Sequence, residues 1–245
     1  MLVNRIFKVV LLLLAAAFVV FQSLTLEIHS AGTSALAFLL LNILYYKYTE
    51  NKSKLFMGFL TLYTIAQFVG FISYFMPIDF DSPYGDFYYY FSNIFCITAY
   101  ILLICSIIKK LDIRKIFAQL YIPIIILLVL DIFSLTIFSE TTEHTLSKAE
   151  NNFEYIYNAV VMILLSIALI NYMYRNDNKS MLILIASIFI VFSEIIQFAY
   201  YYILQDNNLS FVYSFFLVLA FIFLYLQSQV QFEGPIPEYT DEIEA

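Results

Sequence analysis

The sequence has little charge, few histidines and cysteines, and no tryptophan. Charged residues occupy only 13% of the 245 positions, whereas hydrophobic residues occupy 62%, and the mean hydropathy is +0.85. A water-soluble domain carries nearly twice that share of charge. The shortage of charge therefore excludes an ordinary soluble domain. The net charge of −7 gives no reason to expect a nucleic-acid partner, because such partners attract basic surfaces.

The two cysteines and two histidines do not form a ligand cluster in the sequence. Cys96 and Cys105 lie in one predicted helix, and a rise of about 1.5 Å per residue separates them by roughly 13 Å, too far for a disulfide. His29 and His144 fall in short connections that are predicted to be polar. We therefore expect neither a metal nor any other cofactor.

Uncharged apolar runs recur along the whole chain, each about 20 residues long, which is the length that crosses a bilayer as a helix. The first run, FKVVLLLLAAAFVVFQSLTL, is longer than the apolar core of a signal peptide, so we interpret it as a membrane helix. The fold class is predicted to be all-α, a polytopic membrane bundle over residues 1–230. Its eight helices are expected at 6–26, 32–48, 55–77, 87–108, 116–138, 154–173, 181–204 and 208–230.

Lysine and arginine cluster in alternate connections of this predicted bundle, and only Lys148 falls on the other side. Basic loops resist translocation across a membrane. The pattern predicts a cell (inner) membrane protein with both termini in the cytoplasm. The acidic connections DFDSPYGD and SETTEHTLSKAENN would then face outward, and residues 231–245 would form an acidic, flexible cytoplasmic tail.

Two short segments of the chain resemble each other. TENKSKL at 49–55 and NDNKSML at 176–182 share Asn-Lys-Ser followed by leucine, and the same offset pairs Gln67 with Glu194. The offset spans four predicted helices, an even number, so the two halves have the same orientation. This predicts two parallel four-helix repeats, at about 1–110 and 111–230, with a site where the halves meet.

Two acids are predicted to lie deep within spans, Asp131 in the fifth and Glu194 in the seventh. A charged side chain near the bilayer centre costs about 2.5–3.5 kcal/mol on insertion scales, so an intramembrane acid is a candidate functional group. Counting helical rise from the basic ends puts both acids and Gln67 about 20–24 Å deep, in the outward half. The helical pattern leaves open whether Asp131 faces the bundle or the lipid.

Helical spacing places further polar side chains near these acids. Glu194, Gln197 and Tyr201 fall on one stripe of the seventh helix, and Asn93 and Tyr100 share one face of the fourth. Such residues often only bridge neighbouring helices, at about 0.6 kcal/mol on average. Alternatively, the stripes line a common polar cavity that opens outward. The candidate residues are Glu194 and Asp131 for catalysis, and Gln67, Asn93, Tyr100, Ser193, Gln197 and Tyr201 for substrate binding.

The segment SIFIVFSEIIQFAYYY at 187–202 resembles the seventh-helix signature of the YhhN family, the lysoplasmalogenase-like membrane proteins. Ser193-Glu194 stands where that family has Ser-Asp, and YIYNAVVMILLSIAL at 155–169 is similar to its sixth helix. The chain departs from the family pattern at two positions. Ala66-Gln67 replaces a Gly-Asp pair in the third helix, and Tyr100 stands where the family often has histidine.

This resemblance implies hydrolysis of the vinyl ether bond of a lysophospholipid-like substrate, with Glu194 as acid or base. Gln67 cannot exchange a proton, so the two-acid mechanism needs another group, and Asp131 is the candidate. A non-enzymatic carrier, receptor or lipid-binding protein could use the same cavity, and a structural subunit would instead pair Glu194 with a partner helix. The expected partners are membrane lipids and a lipid-like small molecule; the sequence gives no oligomeric state.

Overall fold

A computed structural model describes residues 2–76 and 83–231, with side chains described at 5–76 and 87–231. Eight of its helices are long and apolar enough to cross a membrane. This confirms the predicted all-α, multi-pass bundle. The helices are α1 Leu2–Ser23, α2 Glu27–Tyr48, α3 Lys54–Ser73, α4 Pro83–Ile108, α5 Ile113–Gln119, α6 Tyr121–Thr142, α7 Lys148–Arg175, α8 Asn178–Tyr202 and α9 Asn207–Gln229.

Two of the features predicted from sequence lie wholly or partly outside the described residues. Of the acidic connection DFDSPYGD, residues 79–82 are not described, and the remaining four begin α4. Of the acidic tail, only residue 231 is described. The membrane orientation and the internal repeat remain predictions.

Polar residues in the connections set where several helices begin. The side chains of Ser53, Asp112, Asp177 and Asp206 each accept a hydrogen bond from a backbone N–H of the first helical turn. Such caps satisfy donors that have no partner inside the helix. Between α7 and α8 the chain reverses within two residues because Asn176 adopts a left-handed conformation, with φ of 49°, which asparagine tolerates.

The predicted fifth span, 116–138, is wrong at its start. The helix is interrupted at Leu120. The short α5 therefore precedes a separate membrane helix that runs from Tyr121 to Thr142. Pro123 explains the break, because a proline is tolerated in the first turn of a helix but disrupts its interior. Asp131 therefore lies ten residues into α6, about 15 Å from its first residue, near the middle of the helix.

The second predicted span also begins too late. The structure starts α2 at Glu27, after a turn in which Thr25 has a positive φ of 56°. His29 is therefore part of a helix and does not lie in a polar connection as predicted. Its ring packs near Phe21 of α1, with the ring centroids 5.6 Å apart.

The long helices pack as a closed series in which α1, α2, α3, α4, α7, α8 and α9 follow one another and α9 returns to α1. Buried aromatic rings fill its centre: Phe221 of α9 lies 4.4 Å from Phe38 of α2 and 5.8 Å from Phe59 of α3, measured between ring centroids. In lipid, such packing is a main source of helix association. By contrast, α6 packs mainly on α7 and leaves most of its side chains exposed.

The basic connections lie together at one end of the bundle, which we term the basic end. There the guanidinium group of Arg175 donates a hydrogen bond to the carbonyl oxygen of Lys110. The amide of Gln229, at the end of α9, donates to the hydroxyl of Thr49 at 3.0 Å. These contacts join connections that are far apart in sequence.

Candidate binding and catalytic site

The end of the bundle opposite the basic end contains a cavity of about 660 Å³, enclosed mainly by α3, α4, α7 and α8. This volume is in the range of roughly 300–1,000 Å³ that is typical of small-molecule sites. We term it the polar cavity because of the residues that line it. Its polar lining includes Gln67, Asn93, Glu154, Tyr157, Asn158, Glu194, Gln197, Tyr201 and Tyr202.

Glu194 lies at the inner side of the polar cavity and is only 8% exposed. Its Oε1 accepts a hydrogen bond of 2.6 Å from the hydroxyl of Tyr100, a fully buried residue of α4. The Tyr157 hydroxyl lies close enough to interact with the same carboxyl group. A buried acid without such partners is strongly unfavourable. The two hydroxyl groups and the cavity explain how an apolar helix accommodates this residue.

Three other candidates predicted from α8 have different positions. Gln197 lines the polar cavity one turn beyond Glu194. Tyr201 lies at the rim, where 55% of the residue is exposed. Ser193 does not line the cavity, because it faces α9 and donates a 2.8 Å hydrogen bond to the carbonyl oxygen of Tyr213. Ser193 therefore fixes the contact between α8 and α9.

The first half of the chain contributes Gln67 and Asn93 to the lining. The side-chain oxygen of Gln67 accepts a hydrogen bond of 3.0 Å from the hydroxyl of Ser34, which anchors it to α2. Helix α4 presents Asn93 to the cavity and Tyr100, two turns further along, to Glu194. The structure thus brings Gln67 of α3 together with the predicted polar stripes of α4 and α8.

Asp131 is placed apart from these residues. It does not line the polar cavity, and its Oδ2 accepts a hydrogen bond of 2.8 Å from the hydroxyl of Ser166 on α7. Since α6 packs mainly on α7, this hydrogen bond helps to hold the two helices together. Among the described residues, it does not meet Glu194 as the sequence-based hypothesis required.

A second carboxyl group does line the polar cavity, and sequence reasoning missed it. Glu154 of α7 accepts hydrogen bonds at Oε1 from the hydroxyl groups of Tyr89 and, at 3.0 Å, Tyr202. The predicted sixth span began at Glu154, which made this acid look like an ordinary interface residue. The available sign was that Tyr157 and Asn158 follow Glu154 by three and four residues, which places all three on one face of the helix.

The two cavity carboxyl groups lie at different depths, with Glu154 nearer the mouth than Glu194. Glu154 accepts a hydrogen bond from Tyr202 at the end of α8. Glu194 lies eight residues before that end, about 12 Å along the helix. At the mouth, burial raises the pKa of the Tyr74 phenol, and the nearby Glu27 raises it further. Tyr74 therefore remains a neutral hydroxyl donor.

The polar cavity thus combines two carboxyl groups that can exchange protons, Glu154 and Glu194, with several tyrosine hydroxyl groups that can donate hydrogen bonds.

Within the described residues, no group of three or more histidine, cysteine or acidic side chains is placed to hold a metal ion. The chain matches no protein-family model, no curated protein and no solved structure. The resemblance seen in the sequence therefore stays a hypothesis. A functional proposal depends on the residues and geometry of the polar cavity.

Proposed function

We propose that this membrane protein binds a lysophospholipid-like amphiphile in the polar cavity and hydrolyses its vinyl ether bond, as a divergent relative of the YhhN family. The observation that carries the proposal is that two carboxyl groups, Glu194 and Glu154, line one cavity. Glu154 takes the role of the acid that is missing at Gln67. The basic end would face the cytoplasm, and the cavity would open on the outer side of a cell membrane.

The polar lining of the cavity suits the headgroup of an amphiphile. Its polar side chains can hydrogen-bond a headgroup, while the hydrocarbon chain of the ligand remains in the surrounding lipid. Gln67, Asn93 and Gln197 provide amide donors and acceptors from three helices. A ligand held by groups on several helices is oriented relative to both carboxyl groups, which is a requirement for proton transfer.

Hydrolysis of a vinyl ether consumes one water molecule and needs an acid and a base. The acid protonates the carbon of the double bond that is remote from oxygen, which leaves an oxocarbenium ion. The base removes a proton from water as its oxygen bonds to the cationic carbon. The resulting hemiacetal then separates into a fatty aldehyde and the free hydroxyl group of the glycerol.

We assign the acid to Glu194 and the base to Glu154. Glu194 is the more deeply buried of the two acids. Loss of contact with water disfavours a charged group, so Glu194 is the acid that carries and delivers the proton. Both Tyr89 and Tyr202 donate to one oxygen of Glu154, as they would to a carboxylate. The second oxygen of Glu154 is then available to accept the proton from water.

The test is release of fatty aldehyde from a lysoplasmenyl phospholipid by the purified full chain. Glu194→Gln and Glu154→Gln should each lower turnover by about 10²–10⁴-fold, the usual contribution of an acid or base. Asp131→Asn is the matched control and should retain activity, because Asp131 lies outside the cavity. A folded wild-type protein that releases no aldehyde would overturn the hydrolase proposal.

A second candidate is a non-enzymatic carrier or receptor for a cationic amphiphile. The observation that favours it is that phenol rings surround the carboxyl groups, with Tyr89, Tyr157 and Tyr202 all in the lining. Aromatic faces and carboxylates together bind ammonium groups. This function predicts saturable binding of a lysophosphocholine that is lost in Glu194→Gln, with no product formed by the wild type.

A further inference from the structure

The basic end of the bundle contains a second, smaller cleft of about 40 Å³, formed where α3, α4, α8 and α9 meet. We term it the basic cleft. Hydroxyl, amide and ammonium groups contribute to its lining. These polar residues include Ser53, Ser106, Lys110, Lys179, Gln227 and Ser228.

Positive charges from three helix ends converge at the basic cleft. Lys110 follows α4, Arg175 ends α7, and Lys179 lies in the first turn of α8. Arg175 donates to the carbonyl oxygen of Lys110, so the guanidinium group is held beside that lysine. Burial and then the charge of Arg175 lower the pKa of Lys110. Asp177, which caps α8, is an acid that faces Lys179, so the cluster has a net positive charge.

The chain leaves the last helix at this cleft. The ammonium group of Lys179 donates a hydrogen bond of 2.6 Å to the carbonyl oxygen of Val230, directly after α9. The segment that follows, 232–245, reads FEGPIPEYTDEIEA and contains five acidic residues and no lysine or arginine. Fully extended, it spans at most about 46–50 Å, which is long enough to reach any part of the basic end.

We propose that the acidic C-terminal segment 232–245 binds across the basic cleft of its own chain, with its carboxylates paired to Lys110 and Lys179. Opposite charge selects this occupant, and the attachment at Val230 keeps it close. A short tether gives an effective concentration of about millimolar. Single exposed ion pairs contribute only about 0–1 kcal/mol, so several carboxylates act together. This site lies at the opposite end from the polar cavity and does not depend on the function proposed there.

The test is carbodiimide cross-linking, which joins a lysine amine to a carboxylate with loss of water, on the full chain in neutral detergent. Mass spectrometry should find Lys110 or Lys179 joined to acids of 232–245, at a yield that does not change on dilution. The link between Lys115 and Asp112, whose charged atoms lie 3.7 Å apart, is the positive control. Lys148, at the opposite end, should give no link to the segment.

High salt and replacement of the five acids test whether the links depend on charge. In about 1 M salt the screening length falls to about 3 Å, so the yield of tail links should fall several-fold. Replacing the five acids by their amides should abolish the links without changing thermal unfolding. If the positive control forms and the links from Lys110 and Lys179 do not, the proposal is overturned.

Lipid headgroups are the competing occupants of the basic cleft. The same cross-linking is therefore repeated in nanodiscs of phosphatidylcholine alone and in nanodiscs that also contain phosphatidylglycerol. Links that persist in both discs support the C-terminal segment as the occupant. Links that disappear when the anionic lipid is present would show that headgroups displace the segment, and would overturn the proposal for an anionic membrane.

Discussion

The hydroxyl group of Tyr100 donates a 2.6 Å hydrogen bond to Oε1 of Glu194 at the inner side of the polar cavity. The two residues lie on α4 and α8, so the bond joins the first half of the chain to the second. It gives a buried acid a direct donor, and it fixes the carboxyl group relative to the cavity.

Tyr100→Phe removes this hydroxyl group and leaves the ring in place. We expect a loss of about 1–3 kcal/mol in the free energy of unfolding, because a buried acceptor loses its donor, together with weaker ligand binding or turnover. Tyr45→Phe is the matched control, since Tyr45 accepts a 2.7 Å hydrogen bond from the backbone of Ser53 at the basic end. It should lower the unfolding temperature in detergent but leave binding unchanged. Equal binding by both variants would contradict the role of Tyr100.

Gly70 allows the polar cavity to be filled without disturbing the helix contacts. It lines the cavity, and a Cβ atom built on it meets no atom within 4 Å. We expect Gly70→Phe to abolish ligand binding by occupying the cavity. Gly70→Ala should retain binding and stabilise the protein by about 0.5–1 kcal/mol, because alanine is the better helix former. Full ligand affinity in a folded Gly70→Phe variant would exclude this cavity as the site.

The bond between Ser166 and Asp131 should matter for stability and not for function. Ser166→Ala removes the 2.8 Å donor to Asp131, and we expect the free energy of unfolding to fall by about 1–3 kcal/mol. Ser187→Ala provides the comparison, because the Ser187 hydroxyl bonds only to the carbonyl of Ile183 in its own helix among the described contacts. Thermal unfolding and aldehyde release are measured for both variants. Normal stability with lost turnover in Ser166→Ala would restore Asp131 as a catalytic candidate.

Asn171 offers a way to stabilise the bundle. It is 0% exposed, and neither polar atom of its amide has a hydrogen-bond partner among the described residues. Leucine has nearly the same shape, so Asn171→Leu should raise stability by about 1–3 kcal/mol by removing unsatisfied buried groups. Asn158→Leu should do the reverse, because Asn158 donates to the carbonyl of Glu154 at 2.9 Å. A lower unfolding temperature for Asn171→Leu would reveal a partner for this amide.

The helices that can span the membrane were predictable because hydrophobicity is a local property. Runs of about 20 apolar residues identify them whatever their neighbours are, and all eight are helical in the structure. Their boundaries were less predictable. The break at Leu120, before Pro123, depends on local backbone sterics, and the early start of α2 depends on a tight turn at Thr25.

The site was predictable where it depends on helical spacing alone. Glu194 and Gln197 share a face because they are three residues apart on one helix. The choice of a second carboxyl group could not be made in this way, because it depends on which helices pack together. Helix α7 lies between α4 and α8, and this position brings Glu154 to the polar cavity, whereas α6 packs at the periphery.

The sequence by itself thus determined the membrane helices and their polar faces, since these follow from local composition and the helical repeat. Only the tertiary structure decided that Glu154, and not Asp131, lines the cavity together with Glu194, because that choice depends on contacts between distant segments.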